Sequence, residues 1–252
     1  MEKDIRHTKM VDLINQAGTV SFTALKLHFS KVSEMTLRRD LEYLDQQKKI
    51  IRIHGGARSV DVVIGTDDLF SKRSMRNADA KKQIAQKAAG LLKPNTSVYL
   101  DSGTTATELA RVFPDGKYLI FTNSLSCAAE LARLKEAQVC LLGGRLNAFS
   151  LSVNGTRSIA FLEDMNFDIA FMGATGYVSE KGFTCGAEEE YLLKREVIRR
   201  SKKVAVLMDS KKVGFASTFT MARLKDVHVI ISDGMLDDAV VREVKQSGVE
   251  II

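Results

Sequence analysis

Five consecutive residues, Asp101-Ser102-Gly103-Thr104-Thr105, follow a short apolar run at 98–100 and precede a helical pattern at 106–112. Hydroxyl side chains around a glycine at a helix start can surround a phosphate, because glycine permits close approach and the first-turn N–H groups point outward. The spacing is neither a Walker A loop nor Gly-x-Gly-x-x-Gly, so a nucleotide is not implied, and an ordinary helix cap draws on the same residue types. Four further apolar runs end in the same style, at Thr122-Asn123-Ser124, Gly143-Gly144-Arg145, Gly173-Ala174-Thr175-Gly176 and Asp209-Ser210-Lys211-Lys212. Ligands of open parallel sheets lie beyond the carboxyl ends of the strands, so five such ends favour a phosphorylated, hydroxyl-rich ligand over five unrelated turns. Glu190 and Lys194 stand at i and i+4, which fits a surface ion pair as well as a ligand-facing pair.

A second chemistry is written nearer the N-terminus. Leu37, Leu41 and Leu44 make one apolar stripe of a helix that Ser33 can cap, leaving Met35, Arg39 and Glu42 opposite the stripe and Thr36, Arg38 and Tyr43 on its flanks. Adjacent arginines on an exposed helix face can reach guanine edges or phosphates in a major groove, and the same pattern fits equally a small helical domain that its charges merely solvate. A short alternating run then carries Arg52 and His54 beside Ile51 and Ile53 and ends in Gly55-Gly56, a basic strand and turn.

The elements that must hold these residues fall into two styles. Residues 1–58 read as three short helices and the basic strand, a winged helix-turn-helix. Met10, Leu13, Ile14 and Ala17 mark the first helix, and Ser21 caps a second that carries Leu25 and Phe29. Residues 59–78 read as a linker. From 79 to 252, after a helix carrying Ile84, Ala85 and Ala88, strand-like runs at 98–100, 118–121, 139–142, 169–172, 204–208, 229–231 and 249–252 alternate with helical patterns at 106–112, 125–134, 188–200 and 237–244. That alternation predicts an open α/β domain with a parallel sheet.

Composition narrows the class. The chain has 252 residues, 45% hydrophobic and 27% charged, as in ordinary globular proteins. Residues 1–60 hold 11 Lys/Arg against 7 Asp/Glu, and the remaining 192 hold 26 against 24, so the positive excess lies in the first quarter, which suits a polyanion-binding head and a solvated surface about equally. No apolar run approaches the roughly 18 residues of a membrane helix. The N-terminus lacks the apolar region of a secretory signal, and Cys127, Cys140 and Cys185 form no Cys-x-x-Cys pair. The expectation is a cytoplasmic protein with three small buried thiols, no metal site, no cofactor and no membrane partner.

The segment Val32-Ser33-Glu34-Met35-Thr36-Leu37-Arg38-Arg39-Asp40-Leu41, followed by Arg52-Ile53-His54-Gly55-Gly56-Ala57, resembles the signature of the DeoR family of bacterial transcriptional repressors. The resemblance continues through Phe70, Arg73, Lys81, Ile84 and Ala85, the Asp-Ser-Gly-Thr-Thr, Thr-Asn-Ser and Gly-Gly elements, Glu190 to Lys194, and Asp209 to Gly214, and so covers nearly the whole chain. It implies a winged helix-turn-helix that binds double-stranded operator DNA, joined to a sensor domain similar to ribose-5-phosphate isomerase. It further implies control of sugar-metabolism genes by a phosphorylated sugar, with the protein acting as a homo-oligomer, dimer or tetramer. Carried over residue by residue, Ser33, Thr36, Arg38 and Arg39 belong to the recognition helix and its cap, and Arg52 and His54 to the wing. Asp101, Ser102, Gly103, Thr104, Thr105, Asn123, Gly143, Gly144, Glu190, Lys194 and Lys212 match effector-site positions. Two departures stand out: the turn Phe29-Ser30-Lys31-Val32 is one residue longer than usual, and Gly186-Ala187-Glu188-Glu189 replaces a stretch where many relatives carry proline.

Two alternatives differ in class. A phosphosugar isomerase with an appended DNA-binding head needs a general base beside the sugar carbons. The acidic Asp-Gly-Ala-Asp-Glu element of such isomerases is absent, and Glu190 stands as a conceivable base without a second carboxylate assigned beside it. A domain that serves only for oligomerisation would bind no sugar phosphate at all.

Overall fold

The structure is a computed structural model that describes residues 3–17, 19–53, 55–59 and 70–252, without the side chains of Gln16, Thr19 and Lys72. The chain divides into two compact units, Met1–Asp68 and Leu69–Ile252.

In the first unit, helices α1 (Lys3–Ala17), α2 (Phe22–His28) and α3 (Glu34–Gln46) accompany a sheet of β1 (Thr19–Ser21), β2 (Ile50–Ile53) and β3 (Gly56–Ser59) in the order β1-β3-β2. Ser21 and Ser33 cap α2 and α3 as expected, their Oγ atoms accepting from the Ala24 and Thr36 N–H groups at 3.2 Å. The stripe Leu37, Leu41, Leu44 is buried with Met10, Ile14, Leu25, Phe29 and Ile50, which leaves Arg38 and Arg39 exposed. The Gly55-Gly56 pair divides its work: Gly55 lies in the turn, whereas Gly56 begins β3. A Cβ on Gly56 would stand 2.2 Å from the Val20 carbonyl oxygen, so only glycine lets β1 and β3 meet there.

Asp40, on the same helix, is only 4% exposed although its type suits a solvated face. Arg6 grips it with two nitrogens, at 2.6 and 3.1 Å, and His7 Nε2 lies 2.8 Å from Oδ1, so α3 is tied to α1 through one carboxylate. Burial raises the Asp40 pKa, but these hydrogen bonds outweigh it and hold the carboxyl below its ordinary value. Its contribution is therefore full above the unfolded-state value of about 3.9 and is lost as pH falls through the lowered folded-state value. We expect Asp40→Asn to destabilise the head at neutral pH and to flatten its acid-unfolding profile below about pH 4, read by circular dichroism. An unchanged acid limb contradicts this assignment.

The second unit is built on a seven-stranded, wholly parallel sheet in the order β15-β14-β12-β9-β4-β5-β6. Its strands are β4 (Thr96–Leu100), β5 (Tyr118–Thr122), β6 (Gln138–Leu141), β9 (Phe167–Gly173), β12 (Ser201–Leu207), β14 (Val229–Ile231) and β15 (Glu250–Ile251). All seven expected runs are strands of this sheet. Helices α4 (Phe70–Met75), α5 (Ala78–Ala89), α6 (Thr104–Val112), α7 (Leu125–Leu131), α8 (Thr156–Phe161), α9 (Glu188–Arg199) and α10 (Asp238–Gln246) accompany it. Two apolar clusters share the sheet residues: Val98, Leu100, Ile120 and Phe171 belong to one, and Tyr99, Phe121, Ala170 and Met172 to the other, the alternation of strands buried on both faces.

The strand–helix alternation does not anticipate two small antiparallel additions. One is the hairpin of β7 (Arg145–Asn147) and β8 (Ser152–Asn154); the other is a sheet of β10 (Gly176–Val178), β11 (Gly182–Cys185) and β13 (Phe219–Ala222). Helix α7 ends three residues before the expected 134. The expected linker 59–78 is folded at both ends, since Ser59 closes β3 and 70–75 is helical. Cys127 and Cys185 are buried as expected, but Cys140, on the edge strand β6, is only half-buried. Among the described residues no helix is long and apolar enough to cross a membrane, and no cluster of His, Cys, Asp and Glu could hold a metal ion.

Candidate functional site

Because every strand of the large sheet runs the same way, the ends of β4, β5, β6, β9 and β12 share one edge. Gly103, at φ +137°, precedes α6, and a Cβ there would meet nothing within 4 Å, which leaves its backbone open to close approach. Ser102, Thr104 and Thr105 are 7, 9 and 4% exposed, yet their hydroxyls take no hydrogen-bond partner among the described residues. Thr107 behaves differently, donating to the Gly103 carbonyl at 2.9 Å. Unmatched hydroxyls beside the free N–H groups of a helix's first turn are what an anion can use.

Asp101 plays another part. Its Oδ2 accepts from the Gly173 N–H at 2.7 Å and from the Lys194 ammonium, which also donates to the Gly173 carbonyl at 3.0 Å. Glu190 lies 3.2 Å from the same ammonium. Lys194 is 2% exposed, so the surface-pair alternative for Glu190 and Lys194 fails: α9 aims the lysine into the interior, where it joins the ends of β4 and β9. Burial acts to lower the Lys194 pKa, but the Asp101 and Glu190 carboxylates outweigh it and hold the ammonium above its ordinary value. Lys212 is half-buried, donates to the Ala174 carbonyl at 2.7 Å, and has its pKa lowered by burial.

Asn123, at the end of β5, is 1% exposed and takes part in a buried relay. Its Oδ1 accepts from Tyr99 OH at 3.1 Å, and its Nδ2 donates to Asn154 Oδ1 at 3.2 Å. Gly143 and Gly144 are exposed, and Ser158 Oγ holds the Gly143 carbonyl at 2.8 Å. The edge thus gathers Asp101, Ser102, Gly103, Thr104, Thr105, Glu190, Lys194 and Lys212 around β4, β9 and β12, with Asn123 and the glycine pair further along, on β5 and after β6. The sequence marks the loops around 150–154 and 182–188 as places for sugar selectivity but gives Ser152 and Asn154 no individual role, because strands of three residues carry no periodicity, and it leaves Asn77 without one.

On the first unit, the Ser33 and Thr36 hydroxyls lie 2.9 Å apart and serve the cap of α3. Arg38 packs its guanidinium over the Phe22 ring at 4.4 Å, whereas Arg39 is exposed and makes no ion pair or hydrogen bond with a described residue. Arg52 is exposed on β2, its N–H held by Asp45 Oδ1 at 3.0 Å. His54 lies outside the described residues.

Residues 6–63 match the family description "DeoR-like helix-turn-helix domain", and residues 76–234 match "DeoR C terminal sensor domain". The chain is 34% identical to the HTH-type transcriptional regulator YulB of Bacillus subtilis, over 98% of this chain and 95% of that one. It is 33% identical to the HTH-type transcriptional regulator GlpR of Haloferax volcanii, over 98 and 96%. With the HTH-type transcriptional repressor GlcR of Bacillus subtilis it shares 30% identity over 100 and 96%. Among solved structures, ribose 5-phosphate isomerase A of Methanocaldococcus jannaschii aligns with 54% of this chain and 55% of its own, at 19% identity and a TM-score of 0.41. A capped helix with exposed arginines, polar residues gathered on one edge of a parallel sheet, and family matches over both units agree: the chain belongs to the DeoR family of DNA-binding transcriptional regulators.

Proposed function

We propose that the strand-edge site takes the phosphate of a phosphorylated sugar and that its occupancy changes the affinity of the head for operator DNA. The observation that carries this reading is that the largely buried side chains of Ser102, Thr104 and Thr105, at the start of α6, keep hydroxyls that reach solvent and take no partner among the described residues, on the same edge as the ammonium of Lys212. Residues 1–58 form the DNA-binding head, with Thr36, Arg38, Arg39 and Arg52 facing the duplex. Residues 79–252 sense the ligand, with Asn123, Gly143, Gly144 and Glu190 contacting its sugar portion. A second carboxylate, Asp101, does stand beside Glu190, but both share the Lys194 ammonium, which weakens either as a general base and supports binding over isomerisation. The protein acts in the cytoplasm as a dimer or tetramer on repeated half-sites.

The test is to select operator DNA from a random-sequence pool with the full chain, then to titrate it by fluorescence anisotropy with and without sugar phosphates. A coupling free energy of about 1–3 kcal/mol changes operator affinity roughly 5- to 150-fold. Thr105→Val combined with Lys212→Ala abolishes that change and leaves ligand-free operator binding intact. If operator affinity is indifferent to every sugar phosphate, the sensing role fails.

A further inference from the structure

Helix α4 and the two residues after it are fastened to the candidate site at both ends. The Phe70 N–H donates to the Phe149 carbonyl at 2.9 Å, in the loop of the β7–β8 hairpin. That hairpin is tied to the end of β5 through Asn154, which accepts from Asn123 and donates to Ser152 Oγ at 2.8 Å. At the other end Asn77, in the left-handed region at φ +52°, donates from Nδ2 to Asp209 Oδ1 at 3.1 Å, at the end of β12. Between these anchors α4 packs against α6, the helix whose first turn carries the unmatched hydroxyls.

Lys81 closes the arrangement. It is 4% exposed, and its ammonium donates to the Arg73 carbonyl and, at 2.5 Å, to the Arg76 carbonyl. The lysine therefore holds the carbonyl end of α4 rather than a carboxylate, an expensive use of a buried cation. Burial first, then Lys212, Arg73 and Arg76, lower its pKa to about 8, with Asp209 opposing. Lys212 and Arg73 each disfavour the other's charge and that of Lys81, and Asp209 offsets part of this, so an anion arriving beside Lys212 eases the repulsion that remains. Only ten residues separate Ser59, the last of β3 in the head, from Phe70.

We propose that residues 70–77 are a strap that anion binding at the strand edge holds in place, and that Lys81 and Asn77 are its positioning residues. This rests on the anion-site reading above and adds the element through which occupancy reaches the chain leading back to the head.

The probe is inorganic phosphate at tens of millimolar on the full chain, with two readouts: melting temperature, and the rate of tryptic cleavage after Arg73 and Arg76 followed by mass spectrometry. In the parent protein phosphate raises the melting temperature and slows strap cleavage roughly threefold or more, as expected when ligand closes a local opening. In Lys81→Gln, phosphate still raises the melting temperature, but strap cleavage is fast and phosphate no longer slows it. Asn77→Gly, which keeps the left-handed backbone and removes only the amide, gives the same result if Lys81→Gln fails to fold. A merely structural Lys81 lowers the melting temperature and leaves the phosphate-induced slowing unchanged, which overturns the strap. Phosphate that stabilises the parent protein without slowing strap cleavage also overturns it while sparing the site. Phosphate that stabilises nothing removes the site and the strap with it.

Discussion

Replacing Lys194 with Met lowers the unfolding free energy of the sensor domain by about 3–5 kcal/mol, because it leaves the Asp101 carboxylate buried with only the Gly173 N–H on its Oδ2. For a domain of this size that is a fall in melting temperature of roughly 6–20 °C. The side-chain volumes are similar, so the loss is electrostatic rather than a cavity. Burial already pushes the Asp101 carboxyl up, with Lys194 opposing, and without the ammonium it rises further. A carboxyl whose folded-state value lies above its unfolded value costs stability at neutral pH and recovers it on acidification, so the gap between variant and parent narrows as pH falls. Adding Asp101→Asn to Lys194→Met restores part of the loss. Calorimetry between pH 5 and 8 checks all three statements, and a Lys194→Met variant as stable as the parent shows that the lysine is not the buried partner described above.

The second large effect is on DNA. Arg39→Ala weakens operator binding about 5- to 150-fold, the value of one good base contact at about 1–3 kcal/mol. Arg39 is the cleaner test of the two arginines, since Arg38 also packs over Phe22 and its removal disturbs the head itself. Salt dependence separates the possible roles. If Arg39 reads a base, the loss falls on the selected operator and the slope of log affinity against log salt hardly changes; if it contacts a phosphate, binding weakens on all sequences and the slope drops by about 1. Undiminished operator binding removes Arg39 from the recognition surface, as a rotation of α3 by the longer turn at Lys31 would do.

Pattern reached some of these features and not others for physical reasons. The seven strands were legible because a parallel sheet buried on both faces makes continuous apolar runs, and their shared direction puts every polar end on one edge. Ser21 and Ser33 were legible as caps because capping is a local interaction. Lys194 was not, because an i,i+4 spacing to Glu190 does not reveal Asp101, 93 residues earlier in the chain. Asp40 was read only as part of a motif, since the reason for its burial lies in Arg6 and His7, 34 and 33 residues away. The β7–β8 hairpin and the β10-β11-β13 sheet consist of strands of three or four residues, too short for a period of two to stand out from loop composition. The role of Lys81 was hidden for a further reason: it binds backbone carbonyls, which any residue supplies.

Thermal unfolding of the full chain against a panel of sugar phosphates, each beside its unphosphorylated sugar, tests for a phosphate site at the strand edge. A ligand at 100 times its dissociation constant adds about 2.7 kcal/mol, enough to raise the melting temperature by several degrees. At least one phosphorylated sugar produces this rise while its free sugar does not, and Thr105→Val with Lys212→Ala abolishes it. Stabilisation by none of them at millimolar concentration, or equal stabilisation by the free sugars, contradicts a phosphate site at the strand edge.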